Sequence, residues 1–382
     1  MTNLFLVASL LILLFPPGPE NNEEPIPNDL LEEYLDIINA HHAQNAQNQD
    51  DQEDEEEEKE DADDIELERI KLSEKFFDEE IDRDIKRILA EHRGEREHKP
   101  MEWFEEEIDL EIKRCMAIDR VEFEGSSEIQ RLSVIATKRF GKALVIDGLL
   151  QTTDLDEFIF HESLVHPALL IHNEPKNVFI LGGGRGFAAK EVLKHKSVEK
   201  VIQCEIDKEV VNLYREHMTS NFEAFTKDER IQYIFNDAKE ELSKYEGLVD
   251  VIIGDLCDPD AFSLSMNLYT KDFYESVVKQ KLKSDGIFVT QAGAAGIFTH
   301  KYVFAPIYYT LKQVFNHVVG YTAHIPSYGD CVGFIMASMQ PINIDAEELD
   351  NMIGEKIEEE LRYLDGHVIA ASTVLNKYLK IS

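Results

Sequence analysis

Cysteine, basic side chains and long apolar runs are all scarce in this chain, and each shortage excludes a class of protein. The 382 residues include 4 cysteines, and these stand too far apart in the sequence for a disulfide framework or a zinc site. The 39 basic residues are outnumbered by 76 acidic ones, which gives a net charge of −37 at pH 7. We expect such a chain to repel nucleic acid and to attract cations, whether metal ions, polyamines or basic partners. The simpler alternative is a solvated acidic surface that aids solubility.

The apolar run near the N-terminus, Leu4 to Phe15, is too short to span a bilayer. Its length is typical of the hydrophobic region of a secretory signal peptide, although no basic residue precedes it and prolines follow it. We predict a signal peptide in residues 1–22 and a secreted protein without a transmembrane span. The alternatives are an apolar segment that docks on the core and a cytoplasmic protein. Removal of the segment and the disulfide state stay open.

Residues 23–100 form an acidic extension. Within it, Asn45 to Asp64 is a low-complexity acidic run that cannot bury apolar surface, so we predict that it is disordered. It could attract Ca²⁺ or a basic partner, although no EF-hand spacing supports a defined site. Apolar residues at helical spacing from Ile65 to His98 predict an amphipathic helix.

The remainder of the chain has the composition of a globular protein with two domains, since 43% of all residues are hydrophobic. Short β patterns, Arg131 to Thr137 and Ala143 to Ile146, predict a small antiparallel β domain over residues 101–160. Strand and helix patterns then alternate through residues 161–382, which predicts a parallel sheet with helices on both faces. The predicted strands are Asn177 to Leu181, Val201 to Glu205, Ile231 to Phe235, Val249 to Ile253 and Gly286 to Thr290, and the clearest helices are Lys208 to His217 and Thr270 to Leu282.

Candidate ligand-binding residues follow three successive predicted strands. The glycines of Gly182 to Gly186 let the backbone approach a ligand, and the next helix offers free N–H groups. Glu205 ends the second strand, where an acidic residue commonly accepts hydrogen bonds from both ribose hydroxyls. Asp237 follows the third strand, where it could accept from an adenine amino group. Because ligands bind at the carboxyl ends of parallel strands, these residues together predict an adenosine site.

The fourth strand ends in the sequence VIIGDLCDP, which places Asp255 and Asp258 three residues apart. Two carboxylates at the end of a buried strand are costly to desolvate unless a cation or a hydrogen-bond donor meets them. No set of His and Cys residues with metal-ligand spacing surrounds them, so we predict an organic amine as the partner. For Asp258, capping of a turn before Pro259 is an alternative.

Several longer segments carry a wider resemblance. They are WFEEEID, FGKALVIDGLLQTTDLDEFIFHESLVHP, VIQCEIDKEVV, IIGDLCDP and LYTKDFY, together with the glycine loop. From about Met101 to the C-terminus the chain resembles the polyamine aminopropyltransferases, and GIFVTQAGAAGIFTHK, YTAHIPSYGD and LRYLDGHVIAASTVLNK look closest to thermospermine synthases. The resemblance implies an α/β, Rossmann-like fold of the S-adenosylmethionine-dependent methyltransferase type, with a small N-terminal antiparallel β domain. It also implies a homo-oligomer, since family members are commonly dimers or larger.

The same resemblance implies a reaction. The amine of a polyamine attacks the methylene beside the sulfonium of the co-substrate, decarboxylated S-adenosylmethionine, without a metal or a tightly bound cofactor. Catalysis is then mostly positioning and removal of a proton from the amine, with Asp255 as the implied base. The side chains implied to hold or border the polyamine are Asp258, His161, Tyr328 and Trp103. The residues implied to bind the nucleoside are Gln130, Gln151, Gly182, Gly184, Glu205, Asp237 and Ala238.

Arg185 departs from the pattern of the family, which has an acidic residue there that pairs with the aminopropyl ammonium of the co-substrate. Like charges at roughly 4 Å cost about 4 kcal/mol at an effective dielectric constant of 20, near three decades in binding. The neighbouring Phe160 also lacks the hydroxyl of the tyrosine usual in the family. We expect Arg185 to turn to solvent, to pair with Asp255 or Asp258, or to receive a carboxylate from a ligand.

Three functions therefore stay open at this point. The first is an aminopropyltransferase-like protein that transfers the aminopropyl group to a polyamine such as spermidine. The second is a non-catalytic, secreted acidic binding or matrix protein that retains the fold. The third is an amine transferase that uses intact S-adenosylmethionine, whose carboxylate Arg185 would bind. If Arg185 pairs with Asp255, we expect the pocket to persist without catalysis.

Overall fold

A computed structural model describes residues 102–108, 112–218, 227–259 and 264–379. The predicted signal peptide in residues 1–22, the acidic run Asn45 to Asp64 and the predicted helix Ile65 to His98 lie outside the described residues. In the ranges given above, no helix is both long enough and apolar enough to cross a membrane.

The N-terminal part of the described chain is a five-stranded antiparallel sheet in which each strand pairs with the next along the chain. Its strands are β1 Glu102–Glu107, β2 Lys113–Ser126, β3 Arg131–Thr137, β4 Gly141–Ile146 and β5 Leu149–Thr153. Asp147 and Gly148, with φ of 52° and 86°, form the two-residue turn between β4 and β5, as hairpin turns require.

The C-terminal part contains a seven-stranded sheet in the order β11-β12-β10-β9-β6-β7-β8. Its strands are β6 Asn177–Gly182, β7 Lys200–Glu205, β8 Ile231–Phe235, β9 Val249–Asp255, β10 Leu282–Ala294, β11 His317–Ile325 and β12 Asp330–Ser338. The five strands from β6 to β10 are parallel, while β11 and β12 are antiparallel to their neighbours. The predicted Rossmann-like α/β fold with a small antiparallel sheet is therefore confirmed.

Helices cover both faces of the larger sheet. They are α1 Glu157–Ile171, α2 Phe187–Leu193, α3 Lys208–His217, α4 Ala238–Lys244, α5 Lys271–Phe273, α6 Lys279–Lys281, α7 Phe304–Lys312, α8 Ala346–Lys356 and α9 Gly366–Ser372. A π-helical segment, Tyr274–Val278, joins α5 to α6, so the helix predicted from Thr270 to Leu282 is present with one wider turn. The N-terminal sheet ends at Thr153, and α1 runs across the domain boundary predicted at residue 160.

The core lies on both sides of the larger sheet because successive side chains of a strand face opposite ways. In β6, Phe179 and Leu181 belong to one apolar cluster and Val178 and Ile180 to the other, and each is at most 1% exposed. Strands buried on both faces are held rigidly, so the residues at their ends have fixed positions.

A buried polar cluster lies under the same sheet, where α1, α2 and the segment after α8 meet. His166 Nε2 contacts Glu191 Oε2 at 2.9 Å, His166 Nδ1 contacts His195 Nε2 at 2.9 Å, and Lys194 Nζ binds Glu191 Oε2 at 2.7 Å. Burial lowers the pKa of His195 well below its ordinary value. Burial opposes the ionisation of Glu191, but His166 and Lys194 outweigh it and lower the pKa of Glu191 to about 2.

The topology also fixes where a ligand would bind. The chain passes from β6 to β7 and β8 on one side and returns to β9 and β10 on the other, so β6 and β9 flank the point where the strand order reverses. Open α/β sheets bind ligands in the crevice at the carboxyl ends of these strands. Gly182 and Asp255, the last residues of β6 and β9, are paired there.

Candidate active site

The glycine loop lies against the end of β9. Gly182 and Gly183 have φ of 76° and 73°, a region that favours glycine. A Cβ on Gly182 would come within 2.5 Å of the Asp255 carbonyl oxygen, and one on Gly184 within 2.8 Å of Glu205 Cγ. The loop therefore brings β6, β7 and β9 together at one point of the crevice.

Glu205 is held by the backbone of its neighbours. Gly184 N donates to Oε2 at 2.8 Å and Asp207 N donates to Oε1 at 3.0 Å. Burial raises the pKa of Glu205, and the two backbone N–H groups oppose this shift only in part. Each carboxylate oxygen has a second lone pair, so the predicted ribose contacts fit this geometry.

Asp237 lies beside Glu205, because Asn236 N donates to the Glu205 carbonyl at 3.1 Å. Its own carboxylate is the N-cap of α4 and accepts from Lys239 N at 2.7 Å and Glu240 N at 3.0 Å. Asp237 is exposed, while Ala238 behind it is buried in the core. The cap explains Asp237 structurally, and its contact with adenine stays a prediction.

Gln130 reaches the same region from the turn between β2 and β3. Its Nε2 donates to Asp207 Oδ2 at 2.7 Å, and Ser127 Oγ donates to the same oxygen at 2.7 Å. Asp207 also caps α3 by accepting from Glu209 N at 3.0 Å. The role of Asp207 was not predicted, although its place just before a helical pattern is a recognisable N-cap signal.

His161 and Asp255 face each other on the opposite side of the crevice. His161 Nδ1 lies 2.8 Å from the Glu157 carbonyl oxygen and 3.0 Å from Glu157 Oε2, which are both acceptors, so this nitrogen carries the proton. Its Nε2 lies 3.9 Å from Asp255 Oδ2. Neither of these two buried atoms has a hydrogen-bond partner within the described part of the chain. Both atoms can accept a hydrogen bond from the N–H groups of an amine.

Arg185 forms an ion pair with Asp255. Its Nη2 lies 3.0 Å from Asp255 Oδ1, its Nη1 donates to the Gln151 carbonyl, and its guanidinium carbon lies 6.0 Å from the centre of the Phe160 ring. The side chain of Arg185 is 11% exposed and that of Asp255 0%. Burial alone would lower the pKa of Arg185, but Asp255 contributes to a net rise, so the guanidinium stays charged. Of the alternatives considered for Arg185, the pair with Asp255 is the one observed.

Tyr328 and Gln151 form the wall beside Arg185. Tyr328 Oη donates to the Gln151 carbonyl at 2.7 Å, and its ring stacks on Phe160 at 6.3 Å between centres. The turn that carries Tyr328 is held by Asp156, whose Oδ2 accepts from Ser327 N at 2.7 Å. The Gln151 carbonyl therefore joins Tyr328 to Arg185, while its side-chain Oε1 accepts from Cys257 Sγ at 3.3 Å. The contact of Gln151 with the nucleoside stays a prediction.

The two other residues implied to border the amine lie farther out. Asp258 is exposed, and its Oδ1 accepts from Gln291 Nε2 at 3.1 Å. Trp103 lies on the edge strand β1 opposite Ala117 and is 53% exposed, so its role as an apolar wall stays a prediction. Within the described ranges, no group of three or more His, Cys, Asp or Glu side chains could hold a metal ion.

The fold and the crevice define a Rossmann-like protein with an acidic site where the strand order reverses. Residues 157–347 match the model of the spermine/spermidine synthase domain, and residues 102–154 match that of the spermidine synthase tetramerisation domain. The chain therefore belongs to the spermine/spermidine synthase family, as the sequence motifs indicated.

Individual relatives support this assignment. Thermospermine synthase ACAULIS5 of Arabidopsis thaliana is 49% identical over 69% of this chain and 78% of its own length. Polyamine aminopropyltransferase 1 of Hyperthermus butylicus is 38% identical over 63% of this chain and 82% of its own length. A solved spermidine synthase in complex with the transition-state analogue AdoDATO has a TM-score of 0.67 and 31% identity, covering 75% of this chain and 94% of that one. Spermidine synthase from Thermotoga maritima has a TM-score of 0.64 and 30% identity over the same shares of the two chains.

Proposed function

We propose that this chain binds an adenosine-containing ligand and an amine in the aminopropyltransferase pocket, and that Arg185 suppresses aminopropyl transfer from decarboxylated S-adenosylmethionine. The ion pair of 3.0 Å between Arg185 and the buried Asp255 carries this proposal. The family uses decarboxylated S-adenosylmethionine as the aminopropyl donor. The relative from Arabidopsis thaliana is named as a thermospermine synthase and the one from Hyperthermus butylicus as a polyamine aminopropyltransferase.

The reaction itself makes simple demands on the protein. The attacking amine loses a proton, its nitrogen forms a bond to the methylene carbon, and the bond from that carbon to sulfur breaks to release methylthioadenosine. A carboxylate beside the amine helps to orient the nitrogen and to remove the proton. We assign this task to Asp255, and the neighbouring His161, whose Nε2 lies 3.9 Å from Asp255 Oδ2, supports the assignment.

Arg185 opposes both substrates. Its guanidinium neutralises the charge of Asp255, so the carboxylate attracts an ammonium group less strongly. It also places a positive charge where the aminopropyl ammonium of the donor would lie. At an effective dielectric constant of 20, two like charges roughly 4 Å apart repel by about 4 kcal/mol. Methylthioadenosine has no such ammonium and escapes this repulsion.

A second candidate is a transferase that uses intact S-adenosylmethionine. Arginine has five N–H donors, and the residues that the structure describes accept from Arg185 at Gln151 and Asp255. The remaining donors suit the carboxylate that intact S-adenosylmethionine carries and the decarboxylated form lacks.

Calorimetric titration of the full chain with three ligands tests the proposal. We expect methylthioadenosine to bind and decarboxylated S-adenosylmethionine to bind much more weakly, with the difference abolished in Arg185→Asp. Stronger binding of intact S-adenosylmethionine than of either would favour the second candidate. Equal affinity of the wild type for methylthioadenosine and the decarboxylated donor would overturn the proposed role of Arg185. Binding of none of the three would favour a non-catalytic protein.

We further propose that the chain forms a homo-oligomer through residues 102–154, since this segment matches a tetramerisation domain. Secretion remains our proposal from the apolar N-terminal segment. Sedimentation of the purified chain and N-terminal sequencing of protein from its native source test these two statements.

A further inference from the structure

A buried ion pair of the N-terminal sheet lies behind the wall of the pocket. Glu106 of β1 and Arg114 of β2 stand opposite each other in the strand register, and Arg114 Nη2 binds Glu106 Oε2. Their side chains are 10% and 9% exposed. A buried pair is costly to desolvate and adds little net stability unless further hydrogen bonds satisfy both charges. The remaining contacts of these two side chains therefore matter.

Both side chains reach beyond the pair. Arg114 Nη1 donates to the Tyr328 carbonyl at 2.7 Å, and its guanidinium carbon lies 5.2 Å from the centre of the Tyr328 ring. Glu106 Oε2 accepts from Leu150 N at 2.9 Å. One partner thus holds the turn that carries Tyr328, and the other holds β5.

These two contacts converge on one carbonyl group, that of Gln151. Leu150 directly precedes Gln151 in β5, and Tyr328 Oη donates to the Gln151 carbonyl at 2.7 Å. The same carbonyl accepts from Arg185 Nη1. The oxygen that holds Arg185 on the side away from Asp255 is therefore fixed through Glu106 and through Arg114.

We propose that Glu106 and Arg114 are a positioning pair that keeps Arg185 inside the pocket and against Asp255. They act through Leu150 and Tyr328 and do not touch the reacting atoms. The functional consequence rests on the proposed function: the N-terminal sheet would maintain the positive charge that suppresses aminopropyl transfer.

Chemical modification of Arg185 in the full chain tests this. Phenylglyoxal modifies accessible guanidinium groups, and peptide mass spectrometry assigns the rate to each arginine. The double variant Glu106→Gln/Arg114→Met removes both charges, which replaces the buried pair without leaving a lone charge. We expect the modification rate of Arg185 to rise by about tenfold or more, because its local open state becomes more populated. Glu106→Gln alone, which weakens the hold on Leu150, should raise the rate less.

Two controls separate positioning from general loosening. Glu105→Gln/Lys113→Met removes an exposed pair from the same two strands, 3.5 Å apart with side chains 57% and 53% exposed, and should leave Arg185 protected. Arg230, bound to Asp228 at 2.8 Å, is the internal reference and should react at the same rate in all variants. Arg114→Lys keeps a positive charge opposite Glu106, so Arg185 should be modified more slowly in this variant than in the double variant.

An Arg185 that stays as protected in the double variant as in the wild type would overturn the inference. A parallel rise for Arg185 and Arg230 would also overturn it, because the pair would then only stabilise the fold. If Arg185 becomes reactive but Arg185→Asp gains no aminopropyl transfer, the positioning role stands and the proposed function falls.

Discussion

Arg185 and Asp255 form a buried ion pair, so we expect the effect of replacing either one on the free energy of unfolding to depend on the presence of the other. The perturbation is a double-mutant cycle of Arg185→Met, Asp255→Asn and the two together. The side chain of Asp255 is 0% exposed, so Arg185→Met leaves a carboxylate buried without its cation. Removing one partner of a buried pair costs about 3–5 kcal/mol of stability. We expect this single variant to lie in that range.

Asp255→Asn should cost less, about 1–3 kcal/mol, because the orphaned Arg185 is 11% exposed and can move towards water. The double variant has neither charge and should be nearly as stable as the wild type, since apolar replacement of a buried pair is often neutral. The coupling energy, the sum of the two single costs less the cost of the double variant, is then about 4–8 kcal/mol. Its lower end matches the interaction of about 4 kcal/mol between two unit charges roughly 4 Å apart at an effective dielectric constant of 20.

Urea denaturation is the suitable assay, because guanidinium chloride would screen the charges under study. The exposed pair of Lys176 and Glu199, 3.0 Å apart with side chains 40% and 65% exposed, is the control and should show a much smaller coupling. Additive effects of Arg185→Met and Asp255→Asn would refute the reasoning, because the two side chains would then not share a buried interaction.

Two further predictions concern the nucleoside side and the buried cluster. Asp237→Asn keeps the cap of α4 and should lower methylthioadenosine affinity without loss of stability, whereas Asp237→Ala should also cost about 1 kcal/mol of folding free energy by chemical denaturation. Burial lowers the pKa of His195 in the folded state. As pH falls below 6.5, His195 is therefore protonated in the unfolded chain before it is protonated in the folded chain. Stability should then decrease by about 1.4 kcal/mol per pH unit from this group. Glu191 has a pKa of about 2 in the folded state and ordinarily 4.5. Its protonation should cause a second loss of stability as pH falls from 4.5 to about 2. In His195→Asn the first slope should be reduced in urea denaturation at a series of pH values, and an unchanged slope would contradict the assignment.

The regular elements of the larger sheet could be predicted because their residues have local patterns. The strand Ile231–Phe235 and the helix Lys208–His217 match their predictions residue for residue. The strand predicted from Val249 to Ile253 continues to Asp255, since Gly254 and Asp255 pair with Leu181 and Gly182 of β6. This extension depends on pairing with β6. Glycine at position 254 interrupts the local strand pattern, so the sequence alone did not predict it.

The choice of partner for Arg185 could not be predicted. Asp255 and Asp258 are three residues apart and chemically alike, so the sequence allowed either. Asp255 pairs in register with Gly182, and Gly182 lies three residues before Arg185 in the chain. Asp258, in contrast, is exposed and accepts from Gln291. Strand register decided between them.

The contacts of Arg114 and Asp207 were not predicted for a related reason. Arg114 contacts Tyr328 across 214 positions of sequence, and Gln130 contacts Asp207 across 77. Such contacts leave no periodic pattern in a single sequence. Only the N-cap position of Asp207 gave a local signal.

The most direct test of the central claim is the rate of aminopropyl transfer to spermidine from decarboxylated S-adenosylmethionine in the wild type, Arg185→Asn and Arg185→Asp. We expect Arg185→Asp to be faster than the wild type by up to about three decades, with Arg185→Asn between them, because the charge at the aminopropyl end is first removed and then reversed. A wild type that turns over as fast as Arg185→Asp would contradict the account.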